Sequence, residues 1–273
     1  MCGSDRVGLD SGWGPLSISN SRSLYGRRSG TVCKTRSVVA AIEVHDLSLV
    51  IDDVALLSPT SFSLGAGDAL AVTGSNGVGK TTLLRILAGL ARPSSGAARI
   101  HGSAVDERSP AFRRAVSGSI GRPPVARDLT LEEHLALVAA SWGSPVEAAR
   151  KRAAAELERW QLSALRRRFP HELSSGQSQL FALALAVVRP YEVLVLDEPE
   201  QRLDPERLGI VIEVLRHEID AGRTVIFATH SVVLAEALAS RSLRLGGEPR
   251  DGLGGETRDG LGGERGESGD GGA

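Results

Sequence analysis

Apolar positions along this chain follow two periods. From Thr81 to Leu90, Leu83, Ile86, Leu87 and Leu90 recur every three or four residues and line one face of a predicted helix. Ala69–Thr73, Val193–Leu196 and Thr224–Ala228 are short, compact apolar runs, the pattern of strands buried on both faces. Ile42 to Val72 predicts several short strands separated by turn signals such as Gly65-Ala66-Gly67-Asp68. The middle of the chain is predicted helical. Thr130-Leu-Glu-Glu133 and Ser144-Pro-Val-Glu147 both have capping-box spacing, the second with proline at the first helical position. A further helix is predicted from Asp204-Pro205 to near Gly222. Strands alternating with helices predict an α/β fold: a mainly parallel sheet covered on both faces.

The ends of the chain lack this patterning. Residues 1–38 are rich in Ser, Gly and Arg, carry six basic against two acidic residues, and predict a disordered extension. From Gly246 there are twelve glycines in 28 residues and an imperfect octad, RDGLGGET then RDGLGGER, which predicts a flexible tail, 246–273. Residues 39–245 remain as the folded unit. Net charge is −1, so no nucleic-acid partner is expected. Cys2 and Cys33 form no disulfide framework, which favours a reducing compartment. The opening residues lack the apolar core of a secretory signal. Leu180–Val188, the longest apolar run, is far short of the roughly 20 residues that span a bilayer. The chain is expected to be soluble, with any membrane spans supplied by another chain.

One glycine-rich stretch carries chemistry. Gly74-Ser75-Asn76-Gly77-Val78-Gly79-Lys80-Thr81, followed by Thr82, lies between a predicted strand and a predicted helix and fits the phosphate-binding P-loop. Glycines let the backbone wrap phosphates, and successive N–H groups at a helix start supply positive potential. Lys80, one of only three lysines among 32 basic residues, stands where the β- and γ-phosphates would need a cation. The Thr81 hydroxyl is a candidate Mg²⁺ ligand. Asp197 and Glu198 follow the run Val193–Leu196, at a strand's C-terminal end, where α/β sheets place their ligands. Asp197 suits the metal, and Glu198 suits the polarisation of an attacking water.

Leu173-Ser174-Ser175-Gly176-Gln177 resembles the LSGGQ signature of ATP-binding cassette proteins, with Ser175 replacing the first glycine. It falls about 94 residues after Lys80 and about 20 before Asp197, as in that family. Leu203-Asp204 resembles the family's D-loop, although Glu200-Gln201-Arg202 before it is unusual, and His230 resembles its switch histidine. The resemblance covers roughly residues 40 to 245. It implies a P-loop NTPase fold with an antiparallel β subdomain and a helical subdomain at about 122–185 that carries the signature. It also implies ATP and Mg²⁺ as cofactors and catalytic roles for Lys80, Glu198 and His230. In the family two cassettes dimerise head to tail, so Ser174 and Gly176 of one protomer would touch the γ-phosphate held by its homodimer or heterodimer partner. The implied role is an ATPase subunit on the cytoplasmic face of the membrane, working with a separate transmembrane permease.

The sequence departs from the family in two places. No aromatic stands near Val50–Asp53, where one usually stacks on adenine; Ile51 offers an aliphatic contact only. Arg122-Pro-Pro-Val-Ala-Arg127 contains no glutamine where the Q-loop supplies one. Asp128-Leu-Thr-Leu-Glu-Glu-His134 resembles cassettes of drug- or antibiotic-type exporters, which favours export. Arg166-Arg167-Arg168 reads as a solvated face. The rival readings are a cytosolic cassette ATPase with no transport role and a weakly hydrolysing, structural nucleotide-binding subunit.

Overall fold

The computed structural model describes residues 40–246. The predicted extension 1–38, with Cys2 and Cys33, and the tail after its first residue lie outside the described residues. The first half contains β1 (Ala40–Ile51), β2 (Val54–Gly65), β3 (Ala69–Thr73), α1 (Lys80–Leu87), β4 (Ser95–Ile100), β5 (Ser103–Ala104), α2 (Pro110–Ala115) and β6 (Val116–Ser119). The second contains α3 (Leu131–Ser141), α4 (Val146–Arg159), α5 (Ser175–Val187), β7 (Val193–Asp197), α6 (Pro205–Asp220), β8 (Thr224–Ala228), α7 (Val232–Leu238) and β9 (Arg241–Arg244).

Two sheets organise them. A parallel sheet has the order β6-β7-β8-β3-β9, and an antiparallel sheet the order β2-β1-β4-β5. The parallel strands bury alternate residues into two cores, which is why they read as unbroken apolar runs. Leu194, Leu196, Val225 and Phe227 pack with α3 to α7; Val193, Val195, Ile226 and Ala228 pack with α1 and the antiparallel sheet. Strand register brings the C-terminal ends together. Val72 pairs with Ala228, and Ala228 with Asp197, so β3, β8 and β7 end side by side on one sheet edge. The loops leaving these three strands converge there.

Several local expectations are revised. Ile42–Val72 forms two long strands and one short strand rather than many short ones. The first two join through Asp52-Asp53, both at positive φ (49° and 61°), the conformation of a two-residue hairpin turn. Helix α1 stops at Leu87, and Leu90, expected on its buried face, is 64% exposed beyond Gly89, which turns the chain at φ 76°. The Thr130 capping box forms, but the Ser144 one does not. There Pro145 occupies the N-cap position itself and leaves Ser144 one residue outside the helix. Arg166–Arg168 is solvated, as expected. It is an exposed turn whose Arg166 and Arg168 carbonyls accept the N–H groups of Glu132 and Leu131 at the start of α3.

Candidate functional site

The loop leaving β3 is shaped by three glycines at positive φ: Gly74 (141°), Gly77 (79°) and Gly79 (104°). Two of them are also places of close approach. A Cβ on Gly79 would lie 2.5 Å from the Leu56 carbonyl oxygen, and one on Gly74 would lie 2.8 Å from that of Leu245. A Cβ on Gly77 would meet nothing within 4 Å, so that side of the loop is open. Ser75 and Asn76 are exposed beside it, and Val78 packs against Gly74. Lys80 opens α1 and is buried. Its Nζ donates to the Gly74 and Ser75 carbonyls, both at 3.0 Å, and so closes the loop over its own ammonium. Thr81 and Thr82 follow on the first turn of α1, with the Thr81 hydroxyl exposed.

The ends of β7 and β8 complete the cluster. The Thr81 hydroxyl donates to Asp197 Oδ2 at 2.9 Å. Burial pushes the Asp197 carboxyl above the ordinary carboxylate range; Thr81 opposes this, and the charge of Glu198 adds to it. A hydroxyl and a desolvated carboxylate are the hard oxygen donors that a small divalent cation takes, and such a cation would relieve the crowding of Asp197 and Glu198. Glu198 stands at φ 48°, its N–H held by the Ala228 carbonyl at 3.0 Å. Its Oε1 lies 3.5 Å from His230 Nε2, and Gln201 Nε2 donates to its Oε2 at 2.8 Å. Lys80, Thr81, Asp197, Glu198 and His230 therefore meet at one sheet edge.

The signature residues are organised by a helix start. Ser174 caps α5: its Oγ accepts from the Gln177 N–H (3.3 Å), and Gln177 Oε1 accepts from the Ser174 N–H (3.0 Å). Ser175 is exposed on the first turn. Gly176 is buried, and a Cβ there would sit 3.2 Å from both the Arg202 carbonyl oxygen and Arg207 Cδ. Asp204 caps α6, accepting from the Arg207 N–H at 2.8 Å and pairing with the Arg207 guanidinium. That backbone bond holds the Asp204 carboxyl below its usual range. The signature thus packs against the segment that carries Asp204.

Three residues to which motif reading gave no role hold the site together. Glu200 Oε1 accepts from the Thr229 hydroxyl and from the His230 (3.0 Å) and Ser231 (3.3 Å) N–H groups, which fixes the loop carrying His230. Gln201 holds the Glu198 side chain. Gln179 of α5 donates to the Glu198 and Pro199 carbonyls at 3.3 and 3.2 Å. Next to them lies a cavity of about 580 Å³ lined by Arg122, Pro123, Arg127, Asp197, Glu198 and Gln201, among others. Its loop is pinned by His134, which is buried. His134 Nε2 accepts the Ala126 N–H at 2.9 Å, so Nδ1 carries the proton that faces the Thr130 carbonyl at 2.8 Å.

A phosphate loop, a hydroxyl–carboxylate pair and a second carboxylate at the edge of a parallel sheet define a P-loop nucleotide triphosphatase. The ABC transporter family model matches residues 57–201. A Nod factor export ATP-binding protein I of Burkholderia orbicola is 34% identical over 203 residues, covering 74% of this chain and 67% of that protein. An octopine permease ATP-binding protein P of Rhizobium meliloti is 33% identical over 226 residues, covering 77% of this chain and 86% of that one. Among solved structures, a dimeric ATP-binding cassette in a post-hydrolysis state with ADP and Pi matches with a TM-score of 0.69. It is 22% identical, and the match covers 75% of this chain and 94% of that one. The chain belongs to the ABC transporter family: it is an ATP-binding subunit, and its reaction is ATP hydrolysis. Among the described residues no helix is long and apolar enough to cross a membrane.

Proposed function

We propose that this chain powers export of a substrate through a separate transmembrane permease, docked on the cytoplasmic face of the membrane as a homodimer or heterodimer of cassettes. In this reading residues 39–245 form the nucleotide-binding unit, with about 122–185 as its signature-bearing arm. The observation that carries its ATPase part is the meeting of Lys80, Thr81, Asp197, Glu198 and His230 at the ends of β3, β7 and β8. Residues Gly74 to Thr82 cradle the triphosphate. Lys80 exchanges its two carbonyl partners for the β- and γ-phosphate oxygens. Thr81 and Asp197 would hold Mg²⁺, and the ion would supply positive charge to the triphosphate. Glu198 accepts a proton from the attacking water, and His230 steadies the γ-phosphate and Glu198.

The exposed Ser174 hydroxyl, the N–H groups of Ser175 and Gly176 on the first turn and the positive start of α5 face the partner's γ-phosphate in this reading. ATP then bridges two protomers, and hydrolysis removes the bridge. Val50 and Ile51, 45% and 50% exposed at the β1–β2 hairpin, give the base an aliphatic contact without stacking. Export is favoured by the segment Asp128–His134 and by the relative named for Nod factor export; the octopine relative is named as a permease subunit.

Four measurements test the reading. Glu198→Gln should lower ATP turnover by about 100-fold or more, the usual scale for a lost general base, and should trap a dimer with ATP on size-exclusion chromatography. Purification from gently solubilised native membranes should bring down a multi-span protein in stoichiometric amount, and vesicles holding that complex should load or empty in the export direction. Soluble partners alone, with no protein sedimenting with membranes, would overturn the transport assignment.

A further inference from the structure

Glu198 is held in an unusual way. With φ at 48° it adopts a conformation that a residue carrying a Cβ keeps only where its surroundings enforce it. Residues 198–201 close a turn in which the Gln201 N–H donates to the Glu198 carbonyl at 3.0 Å. That turn folds the Gln201 side chain back over Glu198, and its amide donates to Oε2 at 2.8 Å while Oε1 faces His230 at 3.5 Å. Both side chains line the 580 Å³ cavity. Gln179, which lines the same cavity, donates to the Glu198 and Pro199 carbonyls.

We infer that Gln201 is a positioning residue for hydrolysis, one that locks the Glu198 carboxylate by one oxygen so that the other is presented to the attacking water. The inference rests on the reading of Glu198 as the base. A carboxylate turning freely about its last bond presents either oxygen in a broad range of planes. A donor fixed to Oε2 defines the plane and leaves Oε1 as the acceptor. An amide suits the task because it donates without bringing a charge. A lysine or arginine would compete for the base, and an acid would repel it. In the step itself, water oxygen bonds to Pγ as the bond from Pγ to the β–γ bridging oxygen breaks. The electron pair of that bond leaves with ADP, and the water proton passes to Glu198 Oε1. Gln201 acts on this step through Glu198.

The test uses the full chain at saturating Mg-ATP, with Gln201→Ala and the near-isosteric Gln201→Glu compared with wild type. Both should lower kcat by about tenfold or more, the scale of a misplaced reacting group, with KM for ATP and nucleotide affinity within about twofold of wild type, as expected for a group that acts on the transition state only. In a Glu198→Gln background, where the carboxylate is gone, Gln201→Ala should leave the residual single-turnover rate unchanged. Wild-type kcat in both variants overturns the inference. So does a loss of the same factor in the Glu198→Gln background, which would show that Gln201 acts independently of Glu198. If Glu198→Gln itself turns over like wild type, the base assignment fails, and that outcome is distinct from a failure of Gln201 alone.

Discussion

Single residues set the geometry of this site through contacts far apart in sequence. Glu200 is the clearest case, because one carboxylate oxygen serves the Thr229 hydroxyl and two successive N–H groups ahead of α7. Replacing it with alanine takes this acceptor from the Thr229 hydroxyl and the His230 N–H, while the Ser231 N–H keeps Thr229 Oγ1 at 2.9 Å, and it frees His230 from its place beside Glu198. Glu200→Ala is expected to cost about 1–3 kcal/mol, the desolvation cost of unpaired donors, read as a lower urea midpoint. It should also lower kcat by roughly tenfold, since a loosened group misplaces the reaction. Glu200→Gln keeps an acceptor and should fall between. Unchanged stability and turnover in the alanine variant would remove Glu200 from the site. Gly79 fails differently. Its φ of 104° and the Leu56 carbonyl 2.5 Å from a would-be Cβ leave no room for alanine. Gly79→Ala should lose ATP binding, measured by equilibrium titration. The phosphate loop was legible in the sequence because its chemistry is contiguous. Glu200 and Gln201 stood out only as unusual neighbours of Asp204, since the partners of Glu200 sit some thirty residues away across a strand pairing that periodicity does not reveal.

Whole elements show why an identical motif can succeed once and fail once. In α3, Thr130 Oγ accepts from the Glu133 N–H, and the Glu133 carboxylate accepts from the Thr130 N–H at 2.8 Å. The carbonyls of Arg168 and Arg166 take the N–H groups of Leu131 and Glu132, so the first turn of the helix is fully served. In α4 the same spacing, Ser144 to Glu147, makes no such bonds. Pro145 has taken the N-cap position, and the side chain of Ser144 stands one residue too early to reach the first turn. Thr130→Ala should therefore destabilise the protein by about 1 kcal/mol, the usual value of a lost cap, while Ser144→Ala should leave the urea midpoint unmoved. An unmoved midpoint in the Thr130 variant would mean that the cap at α3 contributes nothing. Proline at a helix start has two possible registers, and the sequence alone does not choose between them.

At the scale of the molecule, the alternation of strands and helices was readable, but the sheet order was not. β3 lies between β8 and β9, and that depends on crossovers rather than on any local pattern. Equally hidden was the charged seam that ties α4 to the core. Arg159 of α4 pairs with Glu218 of α6 at 2.6 Å and donates to the Val214 carbonyl at 3.1 Å. The Tyr191 hydroxyl also donates to Glu218, and the Arg223 guanidinium lies 5.3 Å from the Tyr191 ring centroid. Glu156 shares this seam less comfortably: Arg159 is 3.9 Å away, and Oε2 is buried without a hydrogen-bond partner. Burial raises its carboxyl above the usual range. Arg159 and Arg152 pull it down, and the charge of Glu218 pushes it further up. A carboxyl raised on folding means that the folded chain binds the proton more tightly than the unfolded one. Stability from this group is therefore present below the ordinary carboxylate value and is lost as pH rises through the raised one. Glu156→Gln removes that loss. The variant should match wild type in urea unfolding at acidic pH and exceed it at neutral pH, with ATP turnover unaffected because the seam lies outside the site. A variant less stable than wild type at neutral pH would mean that the Arg159 pairing outweighs the desolvation of Glu156, with the ion pair rather than burial governing the seam.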